Sequence, residues 1–318
     1  MTMRLAAPRG SRIIGIGEHR PARVLANADL PEALETDDDW IRRRTGIQRR
    51  HVAGDGETVV TMAATAATKA IADAGIDPAR VGQVVLATCS LRDSVPGGAP
   101  AVAHAIGATA AGAYDVNGAC AGFSYALAAA SNAVRAGDAE YAVVAGAERL
   151  SDLVDWTDRS SAILFGDGAG AVVVGPSQRC GIGPLVSGSD GSAAGLIGMT
   201  DRRHIRLDGP AVFRWATTSL NATARDICAA AGVAPEDLAA VVLHQANLRI
   251  VDAIAGSLDA PNAVVATDIV DTGNTSAASV PLALARLRRE GRIPSGGLAL
   301  TLAFGAGLTW AGCVIEVP

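Results

Sequence analysis

The chain has 318 residues, 49% of them hydrophobic and only 3% aromatic, with 36 glycines, so it can bury a large core of Ala, Val, Leu and Ile arranged as two ordinary domains or one large composite. A formal net charge of −5 argues against bulk nucleic-acid binding, and five cysteines without a Cys-x-x-Cys pair argue against a disulfide framework or a zinc ribbon. The N-terminus has no apolar stretch of signal-peptide length and no run approaches a membrane span, which predicts a soluble protein of a reducing cytoplasm.

Taken along the chain, the first distinctive feature is the basic run Arg42-Arg43-Arg44 with Arg49-Arg50. Such a run is ordinarily a solvated charged loop. If it binds anything, a phosphate-rich ligand fits better than nucleic acid, with Arg44 supplying charge and Trp40 a stacking face. A helix closed by Gly75 follows, then a turn at Pro78 and an apolar strand through Val84-Val85-Leu86. A strand ending at Asp115-Val116 then runs into a long Ala-rich helix, and Cys120 stands at the junction. Unpaired N–H groups and the helix dipole at that position favour a thiolate, which would make Cys120 a nucleophile. A small buried hydrophobe is the competing reading. The helix from Gly122 to Ala136 carries few charges, which places it in a buried layer.

Further on, His244 ends the strand Ala240-Val241-Val242-Leu243, where α/β folds gather ligands and catalytic groups, although a structural loop histidine is the alternative. His19, His51, His104 and His204 lack such a context and read as surface or loop residues. Asn274, in Gly273-Asn274-Thr275-Ser276, reads either as a plain cap or turn residue or as a polar group at a helix start. The turn Phe304-Gly305-Ala306-Gly307 can present a backbone N–H to an acyl oxygen.

The chain repeats itself. Ala74-Gly75 matches Ala231-Gly232 at an offset of 231 − 74 = 157, and Phe165-Gly166 matches Phe304-Gly305 at 304 − 165 = 139. Matching the helix ends Gly137 and Gly291, 291 − 137 = 154, sets Cys120 opposite Asn274. The halves therefore run 1–175 and 176–318, each alternating strands and helices in a layered α/β architecture, and a pseudo-twofold would bring two helix starts into one pocket. Cys, His and Asn together suit a reaction in which the cysteine takes an acyl group while the other two stabilise charge on a thioester carbonyl. A protease-type Cys/His pair is also open.

Asn117-Gly118-Ala119-Cys120-Ala121-Gly122-Phe123, Leu243-His244-Gln245-Ala246-Asn247 and Gly273-Asn274-Thr275-Ser276-Ala277-Ala278-Ser279 resemble the motifs of β-ketoacyl-ACP synthase III, and so do Asp39-Trp40-Ile41, Arg44-Thr45-Gly46-Ile47, Phe165 to Gly170 and Phe304 to Trp310. The resemblance covers essentially the whole chain. It implies the thiolase fold, five-layered α-β-α-β-α, in a homodimer, with acyl-CoA and malonyl-acyl carrier protein (malonyl-ACP) as substrates and no resident cofactor or metal. By position it implies Cys120 as the acylated nucleophile, His244 and Asn274 on the malonyl thioester carbonyl, and the N–H groups of Cys120 and Ala306 as the oxyanion hole. Ala306 stands where family members often have glycine. Trp40 and Arg159 would sandwich the CoA adenine, with Arg44 and Thr45 nearby. Gly209, Phe213, Ala246 and Asn247 would line the pantetheine tunnel. Arg214 and Arg249 could face the carrier protein, although Ala255-Gly256-Ser257 lacks the lysines of many relatives. Val95 stands where relatives often place a phenylalanine that closes the partner's acyl pocket, which implies tolerance of primers longer than acetyl.

Three other roles compete with decarboxylative condensation: an acyltransferase of the same fold forming no carbon–carbon bond, a degradative thiolase, and a non-enzymatic subunit of a partner ketosynthase. Intact His244 and Asn274 favour condensation, since plain transfer needs no enolate. Gly305-Ala306-Gly307 lacks the second cysteine a thiolase wants, and a purely structural subunit needs no nucleophile.

Overall fold

The structure, a computed structural model, describes residues 10–92, 95–200 and 203–318. The signal-peptide expectation falls partly on residues 1–9, outside the described residues. Among the described residues no helix is long and apolar enough to cross a membrane.

Two five-stranded sheets carry the fold. The first contains β1 (Gly10–His19), β2 (Val81–Ala87), β3 (Gly112–Val116), β4 (Tyr141–Arg149) and β5 (Asp167–Ser177), in the spatial order β3-β2-β4-β5-β1. The second contains β6 (Val186–Ser189), β7 (Leu238–Leu243), β8 (Val264–Val265), β9 (Leu298–Gly305) and β10 (Thr309–Glu316), in the order β8-β7-β9-β10-β6. Renumbered within each half, the two orders are identical. The sense of pairing is identical too: β2 is parallel to β3 and β4, and β5 is antiparallel to β4 and β1, just as β7 is parallel to β8 and β9, and β10 antiparallel to β9 and β6.

The helices repeat as well. After the short α1 (Asp38–Thr45), the first half has α2 (Val59–Ala74), α3 (Ala99–Ala105) and α4 (Gly122–Ala136); the second has α5 (Gly209–Ala231), α6 (Leu248–Ser257) and α7 (Ser279–Arg289). Gly75 and Gly232 close α2 and α5 in the left-handed conformation that glycine adopts without strain.

Alternation along the strands produces the layers. In β2, Val85 and Ala87 face a central core with Phe123, Ala126, Leu127 and Ala130 of α4 and Val280, Ala283 and Leu284 of α7, while Val84 and Leu86 face α2 and α3 on the other side. In β7, Ala240 and Val242 face the same central core, and Val241 and Leu243 face α5 and α6. Helix, sheet, paired helices, sheet and helix make the five layers, with α4 in the middle as expected of a helix whose one charged residue, Arg135, lies in its last turn.

The repeat also corrects the sequence alignment. Both central helices start from a short 3₁₀ turn, Ala119–Ala121 before α4 and Ser276–Ala278 before α7. Ala119 and Ser276 both have φ of 46°. Asn117 Oδ1 accepts from Ala119 N–H, and Asn274 Oδ1 accepts from Ser276 N–H. These pairs share the offset 276 − 119 = 157 found at Gly75 and Gly232. Cys120 is therefore equivalent to Ala277, and Asn274 to Asn117. Aligning the C-terminal glycines misplaced the pair by three residues, because the second helix reaches its glycine three residues sooner.

Candidate active site

Cys120, Ser276 and Ala306 line one cavity of about 230 Å³. Its other walls include Cys89, Leu150, Leu153, Phe165, Ile197, Met199 and Ile205, an apolar set suited to an acyl chain. Cys120 sits at the helix start as the sequence predicts, but its burial works against the expected thiolate. Burial pushes the thiol up to about 12, and the nearby Ser276 hydroxyl only partly opposes this. Gly305 lies against it: a Cβ there would come 2.6 Å from the Cys120 amide nitrogen. The missing side chain keeps that N–H approachable, and Ala306 follows directly on the cavity wall.

His244 follows the end of β7, anchored by its own N–H to Leu302 O at 2.8 Å. It is buried, with its ring edge-on to Phe304 at 5.3 Å, and burial lowers its pKa to about 3. Nδ1 lies 2.7 Å from Ser279 Oγ, which accepts from Gln245 N–H at 3.4 Å. In the tautomer in which Ser279 donates to Nδ1, the neutral ring carries its hydrogen on Nε2 and can donate it. Gln245 went unnoticed in the sequence. Fully buried, it donates to Leu243 O (2.7 Å) and accepts from Ile269 N–H (3.0 Å), tying the strand that ends at His244 to the segment leading to Asn274.

Asn274 is buried and held on both sides of its backbone. Its N–H donates to Leu164 O (2.8 Å) and its C=O accepts from Gly166 N–H (3.0 Å). Gly166 is packed so tightly on Thr272 O that no side chain fits, which explains the glycine in Phe165-Gly166-Asp167-Gly168. Asp167 is a buried staple, accepting from Ala53 N–H at 2.7 Å and from the Ser151 hydroxyl at 2.6 Å. With Asn274 Oδ1 occupied by Ser276 N–H, its Nδ2 is the group left to donate.

None of the expected CoA residues is among those lining the cavity. Arg44 lies 4.4 Å and Arg159 5.0 Å from the Trp40 ring centre. Arg159 thus stacks on Trp40 itself, where a sandwich of an adenine requires the two to part. Thr45 departs from expectation: it is buried, its hydroxyl donating to Ile41 O and accepting from Ile47 N–H, so it shapes the end of α1 and presents no donor. Asn247 caps α6 and donates from Nδ2 to Arg44 O at 3.0 Å. Gly209 opens α5, Ala246 is half-buried beside His244, and the exposed Arg249 lies 4.8 Å over the Phe213 ring, near the exposed Arg214. Val95 is 86% exposed and lies outside the residues that line this chain's own cavity.

The basic run is not one charged loop. Arg42 pairs with Asp38 and Arg49 with Asp271, but Arg50 is fully buried, donating to Asn27 Oδ1 (2.8 Å) and Ile163 O (2.9 Å). His19 also differs from expectation, since it ends strand β1 and pairs with Glu57 at 2.9 Å.

A doubled five-layer fold with a cysteine at the start of one central helix, and with a buried histidine at a strand end and a buried asparagine before the equivalent helix in the other half, defines a thiolase-fold acyl-transferring enzyme. The chain belongs to the β-ketoacyl-ACP synthase III family. Residues 114–191 match the family described as 3-oxoacyl-[acyl-carrier-protein (ACP)] synthase III, and residues 228–317 its C-terminal part. A β-ketoacyl-[acyl-carrier-protein] synthase III of Streptomyces coelicolor is 49% identical over 98% of this chain and 99% of its own. Among solved structures, the priming β-ketosynthase of the R1128 polyketide pathway superposes with a TM-score of 0.97 at 42% identity, covering 99% of this chain and 98% of that one. The 3-oxoacyl-[acyl-carrier-protein] synthase III of Aquifex aeolicus gives 0.92 at 39% identity, covering 96% of this chain and 100% of that one.

Proposed function

We propose that the protein starts a fatty-acid or polyketide chain by decarboxylative condensation. An acyl-CoA primer acylates Cys120 and CoA leaves. Malonyl-ACP then enters, and His244 Nε2–H with Asn274 Nδ2 donates to its thioester carbonyl. Loss of carbon dioxide puts negative charge on that oxygen, where two fixed donors in a water-poor site act most strongly. The enolate carbon attacks the acyl-cysteine carbonyl, whose oxygen is received by the N–H groups of Cys120 and Ala306, and the cysteine sulfur leaves. The observation that carries this reading is a cysteine at a helix start in an apolar cavity, with Asn274 held by the loop that lines that cavity through Ser276, and a buried histidine whose pKa burial lowers. A proton-abstracting Cys/His pair would want a more basic imidazole. The reaction draws on these side chains and needs no resident cofactor.

Trp40, Arg44 and Arg159 are proposed to hold the CoA nucleotide, and Gly209, Phe213, Ala246 and Asn247 the pantetheine arm. Arg214 and Arg249 would meet an acidic carrier protein through an attraction that weakens with salt. The protein is proposed to be cytoplasmic and homodimeric. The free edge of β3, with Tyr114 40% exposed, and the exposed Val95 support a dimer in which Val95 faces the partner's acyl cavity. The test is carbon dioxide release from labelled malonyl-ACP in the presence of acyl-CoA. Full acyl transfer without release would leave a non-condensing acyltransferase instead.

A further inference from the structure

A buried cation that the proposed condensation does not use lies behind Asn274. Arg50 belongs to the short antiparallel pair Val24–Ala26 and Arg49–His51, and it is fully buried although Arg49 beside it is exposed. Its partners among the described residues are neutral oxygens: Nη2 donates to Asn27 Oδ1 (2.8 Å) and Ile163 O (2.9 Å), and Nη1 to Leu25 O (3.4 Å). Nε is buried and has no partner among the described residues. Burial lowers the pKa to about 10, which leaves the side chain charged at neutral pH. A charge buried without a carboxylate is costly, and apolar side chains of similar volume often serve a core as well or better. Stability alone therefore does not account for an arginine here.

Both ends of the Arg50 side chain fall on the backbone that holds Asn274. Phe165 and Asn274 form an isolated parallel bridge, in which Asn274 N–H donates to Leu164 O (2.8 Å) and Asn274 O accepts from Gly166 N–H (3.0 Å). The Arg50 Cβ takes the space that side chains at Gly166 and Gly273 would need, 3.3 Å and 3.2 Å from where each Cβ would stand. The guanidinium binds Ile163 O, one residue before the carbonyl that receives Asn274 N–H. Root and head thus brace the 163–166 segment against Gly273 and Asn274. Asn27 anchors the head from the other side, its Nδ2 donating to Asp38 Oδ1 (2.8 Å) and Ile47 O (2.7 Å). We propose that Arg50 is a positioning residue for the malonyl half-reaction, fixing the segment from which Asn274 Nδ2 donates to the thioester carbonyl. The proposal rests on the condensation reading above. Misplacing a catalytic group by about 1 Å can cost about 10²-fold in rate, so a loosened bridge should be felt in decarboxylation. Cys120 stands on the other central loop, so self-acylation should be largely spared.

Two rates measured on the same protein test this: self-acylation by acyl-CoA, followed by intact mass, and release of labelled carbon dioxide when the acylated protein meets malonyl-ACP. Arg50→Met keeps the aliphatic packing on Gly166 and Gly273 and removes the guanidinium. It should lower carbon dioxide release about tenfold or more and change self-acylation by less than about threefold. A general weakening of the fold would lower both rates by the same factor, so the ratio between them is the readout. Arg50→Lys keeps the charge but replaces the planar fork by one ammonium on a shorter stem, and should lower the ratio by about threefold. A folded Arg50→Met protein with the wild-type ratio, whether both rates hold or both fall equally, overturns the proposal. If that variant does not fold, the wild-type ratio in Arg50→Lys overturns it. A wild type that is acylated but releases no carbon dioxide sinks the condensation reading itself and the positioning role with it, before any variant is compared.

Discussion

The loops at residues 117–121 and 274–278 are the same backbone device carrying different chemistry. Each opens with an asparagine whose side chain caps the residue two positions on, passes a residue at φ 46°, and turns into a central helix. The first loop puts a cysteine where the second has Ala277, and the second puts a hydroxyl at Ser276 where the first has Ala119. His244 likewise stands in the place of Ala87, and Ser279, which pairs with the histidine Nδ1, in the place of Gly122. The doubled scaffold supplies two equivalent helix starts meeting between the sheets; in the proposed function one half carries the nucleophile and the other the groups that act on the incoming thioester.

That division of labour can be broken one half at a time. The largest effect is expected from Cys120→Ala, which should abolish self-acylation and leave folding intact, as intact mass after incubation with acyl-CoA would check. Removing Nε2–H or Nδ2, by His244→Ala or Asn274→Ala, should cut carbon dioxide release by about 10²–10³-fold while self-acylation survives. Equal loss of both half-reactions would contradict the separation. Gly305→Ala pushes a methyl onto the Cys120 amide, 2.6 Å from it, and should lower kcat/KM at least about tenfold and lower Tm as well, because buried backbone must give way.

The buried histidine also sets a pH dependence of stability. Its pKa is about 3 folded and near 6.5 unfolded, so between those values the unfolded chain binds the extra proton. Stability should therefore fall as pH drops from 6.5 towards 3, by about 1.4 kcal/mol per unit from this residue, and His244→Gln should flatten that part of a urea-denaturation series. Smallest is Val95→Phe, which should shift primer preference towards acetyl-CoA by a fewfold if a partner subunit's Val95 closes the cavity. No shift, or a monomer by sedimentation, would remove the gate.

Cys120, His244 and Asn274 were legible because each lies at a junction where a strand or turn meets a helix, and such junctions have local signatures. Their alignment was legible only within one helical turn, since a three-residue difference in helix length is invisible without the backbone. Gln245 and Arg50 were not legible. Each is a polar residue in an ordinary strand or loop whose importance comes from contacts with segments far along the chain. The apolar wall formed by Ile197, Met199 and Ile205 escaped for the same reason: a hairpin of the second half folds over a cavity opened in the first.

The most direct test is intact mass spectrometry of the protein incubated with a panel of acyl-CoAs and then with malonyl-ACP. The account predicts one added acyl group, located at Cys120, that disappears on adding malonyl-ACP as carbon dioxide and a β-ketoacyl-ACP form. An adduct that persists in Cys120→Ala, or one that malonyl-ACP discharges without releasing carbon dioxide, would contradict it.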